Sequence, residues 1–142
     1  MHIELATTDD EIIEAAAVLN QLRPQYSREA LVSQIKMQQK NGYQLAYVRS
    51  DGRIIAVAGF VFGEKLAWGR HIYVDDLVTD EDSRGSGAGT ALIAWLKAYC
   101  VETGCTQLHL DSGVQRFGAH RFYLRLGFDI KEHHFSISDL KG

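Results

Sequence analysis

Tyr73-Val-Asp-Asp-Leu-Val-Thr79 runs into Ser83-Arg-Gly-Ser-Gly-Ala-Gly-Thr90 at the point where the chain changes rhythm. The first stretch is rich in β-formers and interrupted by two carboxylates. The second is polar and glycine-rich, and a helical pattern over Thr90–Glu102 follows it. A glycine-rich turn between a strand and a helix frees the backbone to approach a ligand closely. The helix behind it presents unpaired amides and the positive end of its dipole, a site suited to phosphate or pyrophosphate. Arg84 adds a fixed positive charge. No Gly-Lys-Ser or Gly-Lys-Thr occurs, which excludes a P-loop. A dinucleotide fingerprint also fits poorly, because Thr90 stands where its third glycine belongs.

Before this loop the pattern is a strand, two helices and a meander. His2–Ala6 reads as a first strand, and Thr8-Asp-Asp-Glu11 is a capping box that starts a helix bearing Ile12, Ala16 and Leu19. Pro24 stops that helix, and Ser27 caps a second with Leu31, Val32 and Ile35 on one face. Tyr43–Arg49 and Ile54–Glu64 are strands joined by an Asp51-Gly52 hairpin turn. The second of them is apolar on both faces, so it should be covered on both sides. Trp68–Thr79 completes the meander.

After the loop the order is helix, strand, helix, strand. Thr90–Glu102 has Ala91, Trp95, Ala98 and Val101 as inward candidates. Gln107–Asp111 is a strand, Gln115–Leu126 a helix ended by Gly127, and Phe128–Ile137 a last strand. The expected fold is α+β in three layers: a mixed, mostly antiparallel sheet of about six strands flanked by about four helices.

Composition narrows the class. The chain has 142 residues, 46% hydrophobic and 23% charged, enough for a core without disulfides or structural metal. A net charge of −3 advertises neither nucleic acid nor an anionic membrane as partner. No apolar run is long enough to span a bilayer, and the N-terminus lacks a signal-peptide pattern, so the expected location is cytoplasmic. Cys100 and Cys105 are too few for a zinc site or a disulfide scaffold. His133-His134 would chelate poorly as strand neighbours, and no metal is expected.

The pattern Arg84-Gly-Ser-Gly87-Ala-Gly89 resembles the R-x-x-G-x-G signature of the GNAT superfamily of N-acetyltransferases. Tyr73–Thr79 resembles that family's acidic fourth strand, and Ala119-His-Arg-Phe-Tyr123-Leu-Arg-Leu-Gly-Phe128 its later A-x-x-F-Y-x-x-x-G-F segment. The resemblance implies one N-acetyltransferase domain over residues 1–142, with strands four and five splayed, using acetyl-CoA as co-substrate. It implies that main-chain amides of Arg84, Gly85, Ser86, Gly87, Ala88, Gly89 and Thr90 cradle the pyrophosphate. The backbone of Leu77, Val78 and Thr79 would pair with the pantetheine arm. Relatives carry an asparagine after the fifth strand; Ser112 and His120 stand in for it here.

The same resemblance implies direct attack of a primary amine on the thioester, with the amine belonging to a small molecule or a protein. Asp75 is then the base or amine anchor. The Asp76–Leu77 backbone would donate to the thioester carbonyl. Tyr123 would be the general acid. Asp76 is otherwise a solvated strand end, and His71 is either an alternative base or a polar strand residue facing solvent. Acceptor pockets of the family lie beside the first two helices, where Arg23, Tyr26, Arg28, Gln34 and Gln38 are available. The carboxylates suit a cationic amine; the arginines could instead hold a carboxylate or phosphate. The competing reading is a non-catalytic acyl-CoA-binding module, and a homodimer stays open.

Overall fold

The computed structural model describes residues 1–142, which form two compact units, Met1–Leu110 and Asp111–Gly142. In the first, β1 (His2–Leu5) leads to α1 (Asp9–Leu22) through the capping box at Thr8. Thr8 Oγ1 accepts from the Glu11 amide at 3.2 Å, and Glu11 Oε1 accepts from the Thr8 amide at 3.0 Å. These bonds satisfy donors that a helix start leaves orphaned. Ser27 caps α2 (Arg28–Gln39) by accepting from the Ala30 amide at 3.1 Å.

β2 (Gln44–Ser50) and β3 (Arg53–Lys65) are joined by Asp51 and Gly52, both at positive φ as a tight hairpin turn requires. β4 (Gly69–Thr79) returns along β3, and a short 3-10 turn, Glu81–Ser83, leads into α3 (Ala88–Glu102) and β5 (Gln107–Leu110). The strands form one sheet in the order β1-β2-β3-β4-β5. The first three pairings are antiparallel, and β4–β5 is parallel.

β3 is covered on both faces, as its continuous apolar run requires. Leu45, Tyr47 and Val57 join the core of α1 and α2 through Ile12, Ala16, Leu31 and Ile35. Phe60, on the other face, meets the rings of Trp95 and Tyr99 from α3. The inward stripe of α3 differs from expectation. Leu92, Ile93, Leu96 and Cys100 are buried, whereas Val101 is 77% exposed and Ala98 is exposed. An apolar helix offers several possible stripes, and packing against Phe60 selects the one that fits the sheet.

In the second unit α4 spans Phe117–Arg125, shorter at both ends than expected. The expected strand over Phe128–Ile137 does not form, so the sheet has five strands rather than six. The physical reason is a break of phase: Phe128 and Ile130 fall on one alternation, Phe135 and Ile137 on the other. No face of this segment is apolar throughout, and a strand is specified by such a face. No helix is long and apolar enough to cross a membrane.

Candidate active site

β4 carries most of the chemistry because its pairing is interrupted twice. Its register with β3 runs Phe60↔Val74 and then Gly59↔Asp76, so Asp75 is the extra residue of a β-bulge. Before the bulge, His71 and Tyr73 share a face with Gly63 and Val61, the face toward α1 and α2. Strict alternation would send Asp76 to the α3 face. The bulge shifts the phase by one, so Asp76 and Val78 lie with Gly59 and Val57 on the α1–α2 face. Both carboxylates therefore line one cavity of about 240 Å³ beneath the two helices.

Arg23, Tyr26, Gln34 and Gln38 reach this cavity as expected; Arg28 does not line it. Arg28 stands at the first position of α2, where its Nε donates to Asn20 Oδ1 at 3.5 Å. Asp76 is no solvated strand end. Its Oδ1 accepts from Arg23 Nε at 2.9 Å and pairs with Arg23 Nη2 at 2.8 Å. Its Oδ2 accepts from Tyr43 Oη at 2.8 Å. Arg23 Nη2 also donates to the Asp75 carbonyl at 3.1 Å, which ties α1 to the bulge itself. Burial, with the Asp76 charge next, pushes the Tyr43 phenol far above its ordinary value, so it stays a donor.

Tyr43 was not legible as a site residue. Its phenol crosses Gly59 to reach Asp76, and a Cβ on Gly59 would sit 1.6 Å from Tyr43 Oη. Only a residue without a side chain leaves that path open. The Asp75 side chain is exposed on the cavity wall. His71 departs from expectation: it is 2% exposed rather than solvent-facing. Its Nδ1 donates to the Gly69 carbonyl at 3.0 Å, and its ring stands edge-on to Trp68, 5.0 Å between centroids.

The second interruption lies on the other edge of β4. Parallel pairing with β5 ends at Val74↔Leu110, while β4 continues to Thr79 with β3 as its only ladder partner. Leu77, Val78 and Thr79 thus present one unladdered backbone edge, the splay expected between strands four and five. Such an edge accepts an extended ligand as an added strand.

The glycine loop follows directly. Gly85 and Gly87 have φ of 80° and 88°, and Gly87 is the left-handed N-cap of α3. α3 begins at Ala88, two residues earlier than the sequence pattern indicates. Of the seven expected amides, Ser86 donates to the Ser83 carbonyl at 3.2 Å and Ala88 to Ser86 Oγ at 3.4 Å. The amides of Gly89 and Thr90 belong to the first helical turn, which has no intrahelical acceptors for them. The loop is held at its entrance by Asp80, only 7% exposed. Asp80 accepts from Gln21 Nε2 at 2.7 Å and Arg53 Nη1 at 3.1 Å, and Arg53 Nη2 donates to Ser83 Oγ at 3.2 Å. Gln21, chiefly, holds the Asp80 carboxyl below its usual range, against desolvation and with Arg53 assisting.

Ser112, His120 and Tyr123 lie in the Asp111–Gly142 unit. Ser112 Oγ is buried with no hydrogen-bond partner. His120 Nε2 donates to the Gly113 carbonyl at 2.8 Å. The Tyr123 ring packs against Phe122 and Phe128, 5.3 and 5.7 Å between centroids. Burial raises its phenol above the ordinary value, with Arg116 opposing.

Comparison with known proteins adds the following. The sequence model of the acetyltransferase (GNAT) family matches residues 10–128. The uncharacterized N-acetyltransferase YhdJ of Bacillus subtilis (strain 168) is 28% identical over 137 residues, 95% of this chain and 96% of that one. An aminoalkylphosphonate N-acetyltransferase of Salmonella typhimurium is 36% identical over 65 residues, 46% of this chain and 41% of that one. The aminoglycoside N-acetyltransferase AAC(6')-Iy, solved with a bisubstrate analogue of CoA and acetylneamine, superposes with a TM-score of 0.82 at 15% identity. That superposition covers 99% of this chain and 100% of the other, a likeness of fold.

Proposed function

The chain belongs to the acetyltransferase (GNAT) family and is an acyltransferase, and from that premise we propose that it moves an acetyl group from acetyl-CoA to a primary amine. The observation that carries this reading is the layout of β4. Within five residues it offers a cavity lined by Asp75 and Asp76 and then the unladdered edge of Leu77–Thr79. The loop Arg84–Thr90 follows at once. Acceptor and donor features therefore meet at one strand. The match over residues 10–128 supports a single acetyltransferase domain across both units. The setting we propose is cytoplasmic, in keeping with two buried free thiols.

The residues fit the coenzyme chemically. Left-handed glycines at 85 and 87 and the first-turn amides of α3 suit an anionic pyrophosphate. With Ser86 and Ala88 engaged within the loop, Gly87, Gly89 and Thr90 are the amides that would hold it, with Arg84 adding charge. Leu77, Val78 and Thr79 would pair with the pantetheine arm through their backbone. Of the two asparagine substitutes, Ser112 is favoured, because its hydroxyl is buried without a partner while His120 Nε2 is taken by Gly113.

Acetyl-CoA supplies an acyl thioester when bound. Asp76 is engaged by Arg23 and Tyr43, and the role of base or amine anchor is assigned to Asp75, whose exposed side chain lines the cavity. Tyr123 Oη, a phenol and so protonated at neutral pH, is the proton donor. The test is thiol release from acetyl-CoA with a panel of primary amines. Amine-dependent release supports the reading. Tight acetyl-CoA binding with no release for any amine would make the chain an acyl-CoA-binding module instead.

A further inference from the structure

We infer that the acceptor is an amine bearing no phosphate or other anionic group, because the cavity's one cation is already neutralised by the fold. The inference rests on the acetyltransferase reading and names the substrate class of the same site. Arg23 is the only basic residue on the cavity wall. An arginine there is ordinarily the group to bind an anion, since its planar fork matches phosphate and carboxylate.

Here the Nε–Nη2 edge of that fork is occupied from inside the protein. Arg23 Nε and Nη2 both bind Asp76 Oδ1, at 2.9 and 2.8 Å, and Nη2 also serves the Asp75 carbonyl at 3.1 Å. Asp76 in turn is fixed by the Tyr43 hydroxyl at 2.8 Å, and its side chain is 14% exposed. An anionic acceptor would have to compete for the guanidinium with a fixed, desolvated carboxylate, and would meet Asp75 as well. Two carboxylates against one guanidinium leave the wall with a formal charge of −1. The remaining polar lining, Gln25, Gln34, Gln38 and Tyr26, is neutral and suited to hydroxyl or amide groups. A cationic amine is attracted by this wall, and an anion on the same molecule is repelled.

The experiment uses matched pairs on the full-length protein: glucosamine with glucosamine 6-phosphate, and ethanolamine with phosphoethanolamine. Binding is read by calorimetry in the presence of CoA, and turnover by thiol release from acetyl-CoA. The unphosphorylated member of each pair should bind at least about tenfold more tightly, as like-charge juxtaposition demands. Asp76→Asn frees the guanidinium and should narrow or reverse that preference. Arg23→Gln, which does not depend on Asp76→Asn folding, uncovers the Asp76 charge and should widen the preference. Equal or tighter binding of the phosphorylated members by the parent overturns the inference, as does an Arg23→Gln variant in which the preference narrows. Failure of every member to bind overturns it too. None of these outcomes touches the acetyltransferase reading, which fails only if no amine or peptide drives thiol release.

Discussion

Asp75 stands at the crest of the β4 bulge, and its neighbour Asp76 is locked by Arg23 and Tyr43. The two carboxylates are adjacent in sequence and unlike in setting, and their variants should separate them. Asp75→Asn keeps size and removes charge and basicity. A base role lowers kcat and alters its pH profile; an anchoring role mainly raises KM. Coenzyme affinity should hold, because the pairing proposed for the β4 edge is made by backbone. His71→Gln is the control: His71 is buried with Nδ1 bound to Gly69, so activity should change little. A fully active Asp75→Asn beside a dead His71→Gln would reverse the assignment. For Tyr123, replacement by Phe should leave coenzyme affinity intact and lower turnover about ten- to a hundredfold, measured as amine-dependent thiol release at neutral pH.

At the scale of elements, the glycine loop and the start of α1 are both set by local rules. Nothing in the protein lies within 4 Å of a Cβ placed on Gly87, so space is not the constraint; its φ of 88° is. Gly87→Val forces a β-branched residue toward a different backbone, at a strain of about 1–3 kcal/mol. Dissociation constants for acetyl-CoA should rise about tenfold or more, whereas unchanged binding would refute the loop assignment. At α1, the Tyr47 hydroxyl first, then the amide and hydroxyl of Thr8, hold the Glu11 carboxyl down to about 2 from 4.5. A depressed carboxyl stabilises the fold while it is ionised. The contribution of Glu11 is therefore present above pH 4.5 and lost as pH falls toward 2. Glu11→Gln should lower Tm at pH 7, and the gap from the parent should close across that acidic window.

For the molecule as a whole, β3 is the element on which the layers converge. Phe60 is fully buried on its α3 face, and Val57 on its α1–α2 face. Phe60→Ala should cost about 3–5 kcal/mol by removing contacts and leaving a cavity. Chemical denaturation would read this as a lower midpoint at constant m-value.

The features legible in the sequence were those written in short-range chemistry. The capping box at Thr8, the Ser27 cap, the Asp51-Gly52 hairpin, the doubly covered β3 and the Arg84–Thr90 loop all depend on residues within a few positions of one another. Local hydrogen bonding and backbone sterics determine them, so periodicity and spacing reveal them. The Asp75-Asp76 pair was also visible, but not its division of labour. That division depends on the bulge at Asp75, on Tyr43 crossing Gly59, and on Arg23 reaching 53 positions along the chain to Asp76. The burial of His71 and the inward stripe of α3 likewise follow from which surfaces meet. The missing sixth strand has the same origin, since alternation that changes phase at Phe135 leaves no continuous face for a neighbour to select. Sequence by itself determined most of the elements and the Arg84–Thr90 glycine loop; tertiary structure alone decided how Asp76 is held, because register and packing are non-local.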